Sequence, residues 1–236
     1  MKKALILGCS HALGSEMYKE PGFQLPFKYL YDDEYGADNS YPVQIAQQLG
    51  YTALNHAIAG GSNDAMYRIF SEQLATLCSE DTVIACWTGA NRGEVFYEHE
   101  NRWLPISPGD PHVNQIEPNS MMLQGKCILS KIKHYTEFET YERQWTLYQS
   151  NQGYHNKIKN ILALNMLAQA QSIPVINIDS FWPVSYLWPT TINWPVPDWD
   201  FIKFCNVKLF PKTTWGHHFR PAHEAFAQYV LTNLAG

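Results

Sequence analysis

Ser10 stands directly after a short apolar run, Ala4-Leu5-Ile6-Leu7, in the small-residue turn Gly8-Cys9-Ser10. A serine hydroxyl becomes a nucleophile when a tight turn at a strand end exposes it, backbone N–H groups surround it and a base takes its proton. Three further segments suit such a reaction. The run Thr52–Ala57 leads through Ile58-Ala59 to Gly60-Gly61, where a backbone N–H can approach a reacting oxygen with no side chain in the way. Thr82–Trp87 ends in Thr88-Gly89-Ala90-Asn91, and the Asn91 carboxamide is a donor at the same kind of position. Near the end of the sequence Trp215-Gly216-His217-His218-Phe219 supplies two imidazoles as candidate proton acceptors. A nucleophile, a base and a set of oxyanion donors perform acyl transfer.

Taken singly, each of these residues has a plainer use. A serine after a first strand is ordinarily a cap or turn residue, and Gly60-Gly61 is a turn. Gly89 with Asn91 makes a loop. His217, His218 and His223 are solvated or bind a metal, although their spacing is poor for one helix face. His11 and His56 read as local hydrogen bonders, and Arg92 with Glu94 as an ion pair steadying the third loop. What favours chemistry is the joint occurrence in order, each group just past an apolar run.

The elements that must position them follow from periodicity. Ala4–Cys9, Thr52–Ala57, Thr82–Trp87 and Pro174–Ile178 read as buried strands. Tyr41–Leu49 has helical spacing and is closed by Gly50, and Ala65–Leu77 carries a one-sided stripe after the cap cluster Ser62-Asn63-Asp64. Tyr141–Gln171 reads as mostly helical with a break at Gly153, and Pro221–Leu234 as a closing helix. Strand followed by helix, repeated, is the pattern of βαβ units. The fold class expected is a three-layer α/β/α domain with a parallel flavodoxin-like sheet. Ligands bind beyond the carboxyl ends of such strands, which is where Ser10, Gly60, Asn91 and Asp179 fall. Residues 1–236 read as a single domain, decorated by polar, turn-rich insertions at about 92–140 and 180–213, the second rich in Trp and Pro.

Composition narrows the function classes. The 236 residues are 45% hydrophobic and 17% charged, a globular balance that excludes disorder. A net charge of −5, from 17 Lys+Arg against 22 Asp+Glu, argues against nucleic acid as a partner. No apolar run reaches the roughly 18 residues of a membrane span. The five cysteines are odd in number, with no CxxC pair, and read as small hydrophobes rather than a disulfide or zinc framework. The N-terminal run ending at Gly8-Cys9 is too short for a secretory signal, so the expected setting is cytoplasmic or virion-associated. The sequence is silent on oligomeric state.

The four blocks, in this order, resemble the SGNH (GDSL-type) hydrolases, a family named for Ser, Gly, Asn and His in four separate segments. The resemblance spans residues 4–20, 52–70, 82–94 and 213–230, and Trp87-Thr88-Gly89-Ala90-Asn91-Arg92-Gly93-Glu94 looks most like the third block of phage and bacterial members. It implies Ser10 as nucleophile and an oxyanion hole made by the Ser10 N–H, the Gly60 N–H and the Asn91 side chain. One of the paired histidines would be the base. It implies no cofactor and no metal, and a small-molecule or carbohydrate ester as substrate. The Asp-Gly-x-His form points to His218, while the spacing to His223 points to His217. Two positions depart from the family. Cys9 replaces the usual Asp before the serine, and the family's acid falls on Trp215 or Thr214. The base therefore needs another orienter, such as a backbone carbonyl, Asp179, Asp198 or Asp200; a lost triad acid costs about 10⁴ in serine-protease turnover. A non-catalytic carbohydrate-binding or virion-structural module on the same scaffold is the alternative, and a His-based metal hydrolase a third.

Overall fold

The computed structural model describes residues 1–15, 17, 21, 32–90, 92–97, 102–108, 121–123, 126–127, 151–180, 199–213 and 216–234. In chain order they form β1 (Lys3–Leu7), α1 (Ser10–Leu13), α2 (Asp32–Asn39), α3 (Tyr41–Gln48), β2 (Thr52–Asn55), α4 (Asn63–Gln73) and β3 (Thr82–Trp87). Next come β4 (Gly93–Tyr97), β5 (Arg102–Pro108), β6 (Met121–Leu123), β7 (Lys126–Cys127), α5 (Asn151–Ala170) and β8 (Val175–Asp179). The last are β9 (Trp199–Asp200), α6 (Phe201–Val207) and α7 (Arg220–Leu234).

The main sheet has the order β2-β1-β3-β8-β9, and every pairing in it is parallel. Alternation along the strands assigns the two faces. Ala4, Ile6, Ile84, Cys86 and Ile178 pack with α3, α6 and α7 around Tyr41, Phe201 and Phe226. Leu5, Leu7, Val83, Ala85 and Trp87 pack with α4 and α5 around Phe70, Ile161 and Leu164. This is the three-layer α/β/α arrangement with a flavodoxin-like sheet that the sequence predicts. The chain leaves β1 toward β2 on one side and returns to β3 on the other. The switch point, where such sheets open a crevice, therefore lies between the ends of β1 and β3.

Local chemistry sets the boundaries. Ser62 caps α4, its Oγ accepting the Ala65 N–H at 3.1 Å. Gly50 closes α3 with φ 81°, a backbone that glycine adopts without strain. Gly14 ends α1 at φ 77°, and a Cβ on it or on Gly36 would run into the other's carbonyl, so α1 and α2 touch backbone to backbone.

The structure differs from the sequence expectation in four places. The first insertion contains an antiparallel sheet, β4-β5-β6-β7, where only irregular chain is expected. The second contains β9 and α6, the helix capped by Asp200 Oδ1 accepting the Lys203 N–H at 2.9 Å. Helix α5 runs unbroken through Gly153, which is buried; the roughly 1 kcal/mol that glycine costs in a helix is small beside the packing of a 20-residue element. Helix α2 has no apolar stripe to announce it. The expected helical stretch 141–150 and most of the Trp-rich 181–199 segment lie outside the described residues. Among those described, no helix is long and apolar enough to cross a membrane.

Candidate active site

Ser10 is the first residue of α1, three positions beyond β1, and is 6% exposed. Gly8 makes this tight exit possible, since a Cβ there would strike the Ala12 and Cys86 side chains. The second loop is laid directly against the first. Ile58 donates its N–H to the Gly8 carbonyl at 3.0 Å, and a Cβ at Gly61 would lie 2.9 Å from that same oxygen. Gly60 adopts φ 76° in the turn. Asn63 then fastens the third loop to the second. Its Oδ1 accepts the Thr88 N–H at 3.0 Å, and its Nδ2 donates to the Thr88 and Gly89 carbonyls, each at 3.3 Å. Ala90 is buried and Arg92 donates its N–H to the Gly89 carbonyl at 3.4 Å. Asn91, between them, lies outside the described residues.

The fourth segment arrives on the same rim. Thr213 donates its N–H to the His217 carbonyl at 2.8 Å, Lys212 bridges His218, and Gly216 turns the chain at φ 83°. His217 lies against His11, the residue after Ser10, with ring centroids 5.0 Å apart. Phe201 touches both His11, at 5.8 Å, and His218, which meets it edge-on at 5.6 Å. Position 11 therefore lies beside the 217–218 pair despite some two hundred intervening residues. The structure brings the Ser10, Gly60 and His217–His218 segments onto one rim.

The two imidazoles are differently held. His218 is 1% exposed, and its Nδ1 faces the Pro211 carbonyl at 3.3 Å. Burial lowers the His218 pKa, assisted by Lys212 and His217, while the Pro211 carbonyl works the other way. The ring is accordingly neutral near pH 7, the state in which it accepts a proton. His217 is half-buried and donates its backbone N–H to Thr213 Oγ1 at 3.3 Å. His11 is buried, and its pKa lies well below the usual value, first through burial and then through His217 and Arg92. His223 is also buried. Its Nδ1 accepts the Tyr41 backbone N–H at 3.2 Å, and burial, followed by His218 and His217, pulls its pKa down to about 3.

Two of the three acids named as orienters have partners of their own. Both Asp179 oxygens take Lys157 Nζ, at 2.9 and 3.1 Å, in a fully buried pair on the α5 side of the sheet. Asp200 caps α6, and burial raises its pKa. Asp198 lies outside the described residues. The expected Arg92–Glu94 pair is corrected: Glu94 is held by Arg68 of α4 through two bonds of 2.9 and 3.0 Å. Arg68 also stacks over Trp103, 5.3 Å from the ring centroid, clasping the second sheet onto α4. Among the described residues no group of three or more His, Cys, Asp or Glu side chains is disposed to hold a metal, which leaves the metal-hydrolase expectation unsupported.

Sequence reasoning missed Asn63, Phe201, Pro211 and the role of His223. Asn63 announced itself only as part of a helix-starting cluster. Pro211 acts through its backbone carbonyl, which no side-chain pattern reports.

No family model matches the sequence, and no curated protein matches it. Among solved structures the chain is similar to the psychrotrophic esterase EstA from Pseudoalteromonas sp., in a structure inhibited by monoethylphosphonate. The identity is 10% over 100% of this chain and 97% of that one, with a TM-score of 0.48. It is similar to a protein from Desulfitobacterium hafniense DCB-2 assigned to the lipolytic G-D-S-L family, at 11% identity, 98% of each chain and a TM-score of 0.44. A member of that lipolytic family from Veillonella parvula DSM 2008 gives 10% identity, 98% of this chain, 97% of that one and a TM-score of 0.34. The similarity is one of fold. None of these neighbours' residues is carried onto this chain, and its fold class follows from its own sheet order and two helical layers.

Proposed function

We propose that the protein is an ester hydrolase in which Ser10 is the nucleophile and one of His217 and His218 is the base. The observation that carries this is the 5.0 Å ring contact between His11 and His217, which brings one imidazole of the pair beside the residue that follows Ser10. Ser10 Oγ attacks the acyl carbon while the imidazole takes its proton. That proton then passes to the leaving alcohol, and water, deprotonated by the same ring, releases the acid. The oxyanion is held by the N–H groups of Ser10 and Gly60 and by the Asn91 carboxamide, with no cofactor required. His218 is favoured as the base because the Pro211 carbonyl can fix its Nδ1–H, leaving Nε2 as the acceptor. The substrate class is an acyl ester of a small molecule or an O-acetylated carbohydrate.

A non-catalytic module is favoured by one feature, the deep burial of Ser10 and His218, at 6% and 1% exposure. A fluorophosphonate probe decides between the two. The hydrolase labels at Ser10, and labelling disappears in Ser10→Ala; folded protein that never labels is the module. Asn91→Ala should lower turnover by about 10²–10³ without unfolding the protein; turnover equal to the parent's removes Asn91 from the mechanism.

A further inference from the structure

We propose that His223 is a positioning residue, a neutral strut that fixes the backbone of the His217–His218 turn to the start of α3; this rests on the hydrolase reading above. His223 sits in the first turn of α7 and is 1% exposed. Its Nδ1 accepts the N–H of Tyr41, the first residue of α3. That N–H is among the helix's orphan donors, and the Ser40 side chain makes no capping bond to take its place. With Nδ1 used as an acceptor, the ring is the neutral Nε2–H tautomer, because an imidazolium has no lone pair to accept the Tyr41 N–H. The His218 backbone faces the same ring and works against the lowering of its pKa.

Tyr41 is itself held from several sides. Its hydroxyl shares a 2.6 Å bond with Ser180 Oγ, and Ser180 donates its N–H to the Trp87 carbonyl at 2.7 Å. Its ring stacks on Phe201 at 4.7 Å and meets Phe226 edge-on at 5.0 Å. The sequence of contacts runs from the end of β3 through Ser180 and Tyr41 to His223, five residues beyond His218. The charged or titratable groups facing His223 are His218, His217, His11 and the Tyr41 hydroxyl. An apolar side chain would fill this site without joining the two elements.

The test uses His223→Gln, whose amide both accepts and donates, and His223→Leu, which does neither. Ring-labelled histidine NMR on the full chain should show His223 as a neutral Nε2–H imidazole throughout pH 5–8, and a parent ring that titrates near the ordinary value of about 6.5 overturns the strut. In folded His223→Leu the His217 or His218 titration should move by about half a pH unit or more, and hydrolysis of p-nitrophenyl acetate should lose about 10- to 100-fold in kcat with little change in KM. His223→Gln should keep both. An unchanged His217 and His218 titration in folded His223→Leu also overturns the proposal. Should the parent neither hydrolyse the ester nor label with fluorophosphonate, the hydrolase reading fails, while the NMR arm still decides whether the strut exists.

Discussion

Acid should destabilise this protein through its buried imidazoles, and His223 allows the size of the effect to be worked out. In the unfolded chain a histidine titrates near 6.5, whereas in the fold burial holds His223 at about 3. The folded state therefore refuses a proton that the unfolded state binds. Stability is complete above the unfolded value and falls as pH drops through the interval between the two. The slope is about 1.4 kcal/mol per pH unit for one group, so lowering the pH from about 6.5 to 4 removes roughly 3 kcal/mol through this ring alone. A domain of ordinary stability, about 5–15 kcal/mol, loses a large share of its margin. His11 and His218 are lowered by burial too and act in the same direction. Glu94 and Asp200 act in the opposite one. Burial raises both pKa values, so near the carboxylate range the fold binds their protons more readily than the unfolded chain does. Comparison of the parent with His223→Gln isolates the single ring. Urea unfolding followed by tryptophan fluorescence, in pH steps from 7.5 to 4, should show the parent's advantage over the variant shrinking by roughly 3 kcal/mol across this range. A gap that stays constant with pH would refute the buried neutral imidazole.

The other expected effects are local. Asn63→Ala removes three hydrogen bonds joining the second and third loops and should cost about 3 kcal/mol by denaturant unfolding, while Asn63→Asp, which keeps only the acceptor, should fall between. Lys157→Met takes the ammonium away from the buried Asp179 carboxylate, for a loss of about 3–5 kcal/mol; adding Asp179→Leu should recover most of it, and a double-mutant cycle with no coupling refutes the pair. Gly216→Ala meets open space but must hold φ 83°, so thermal unfolding should report about 1–2 kcal/mol of backbone cost. Arg68→Ala should cost about 1–3 kcal/mol and alter Trp103 emission; an unchanged spectrum shows that the guanidinium does not sit over the ring.

The two inner strands β1 and β3 were legible because they are buried on both faces and read as near-continuous apolar runs. Thr82–Trp87 comes out with the boundaries the sequence predicts, and Ser62 as the cap of α4 follows from its position before a one-sided stripe. The second sheet was not legible. Its strands lie between clusters of Pro and Gly, which pattern reading assigns to loops. The Glu94 partner was misread because Arg92 is only two residues away in sequence, while Arg68 comes from another element and meets Glu94 only after folding. The places of Ser10 beyond β1 and Gly60 beyond β2 follow from where those apolar runs end. Which imidazole has an oriented ring was not legible, because its orienter is the main chain of Pro211.

The imidazole pair is carried by the turn just before α7, whereas all five strands of the main sheet precede residue 201. During synthesis every strand of this sheet therefore leaves the ribosome before either ring of the pair. The sheet face lined by Ala4, Ile6 and Ile84 stays partly open to solvent on the nascent chain until α7 docks, lays Phe226 and Val230 over it and brings His223 to the Tyr41 amide.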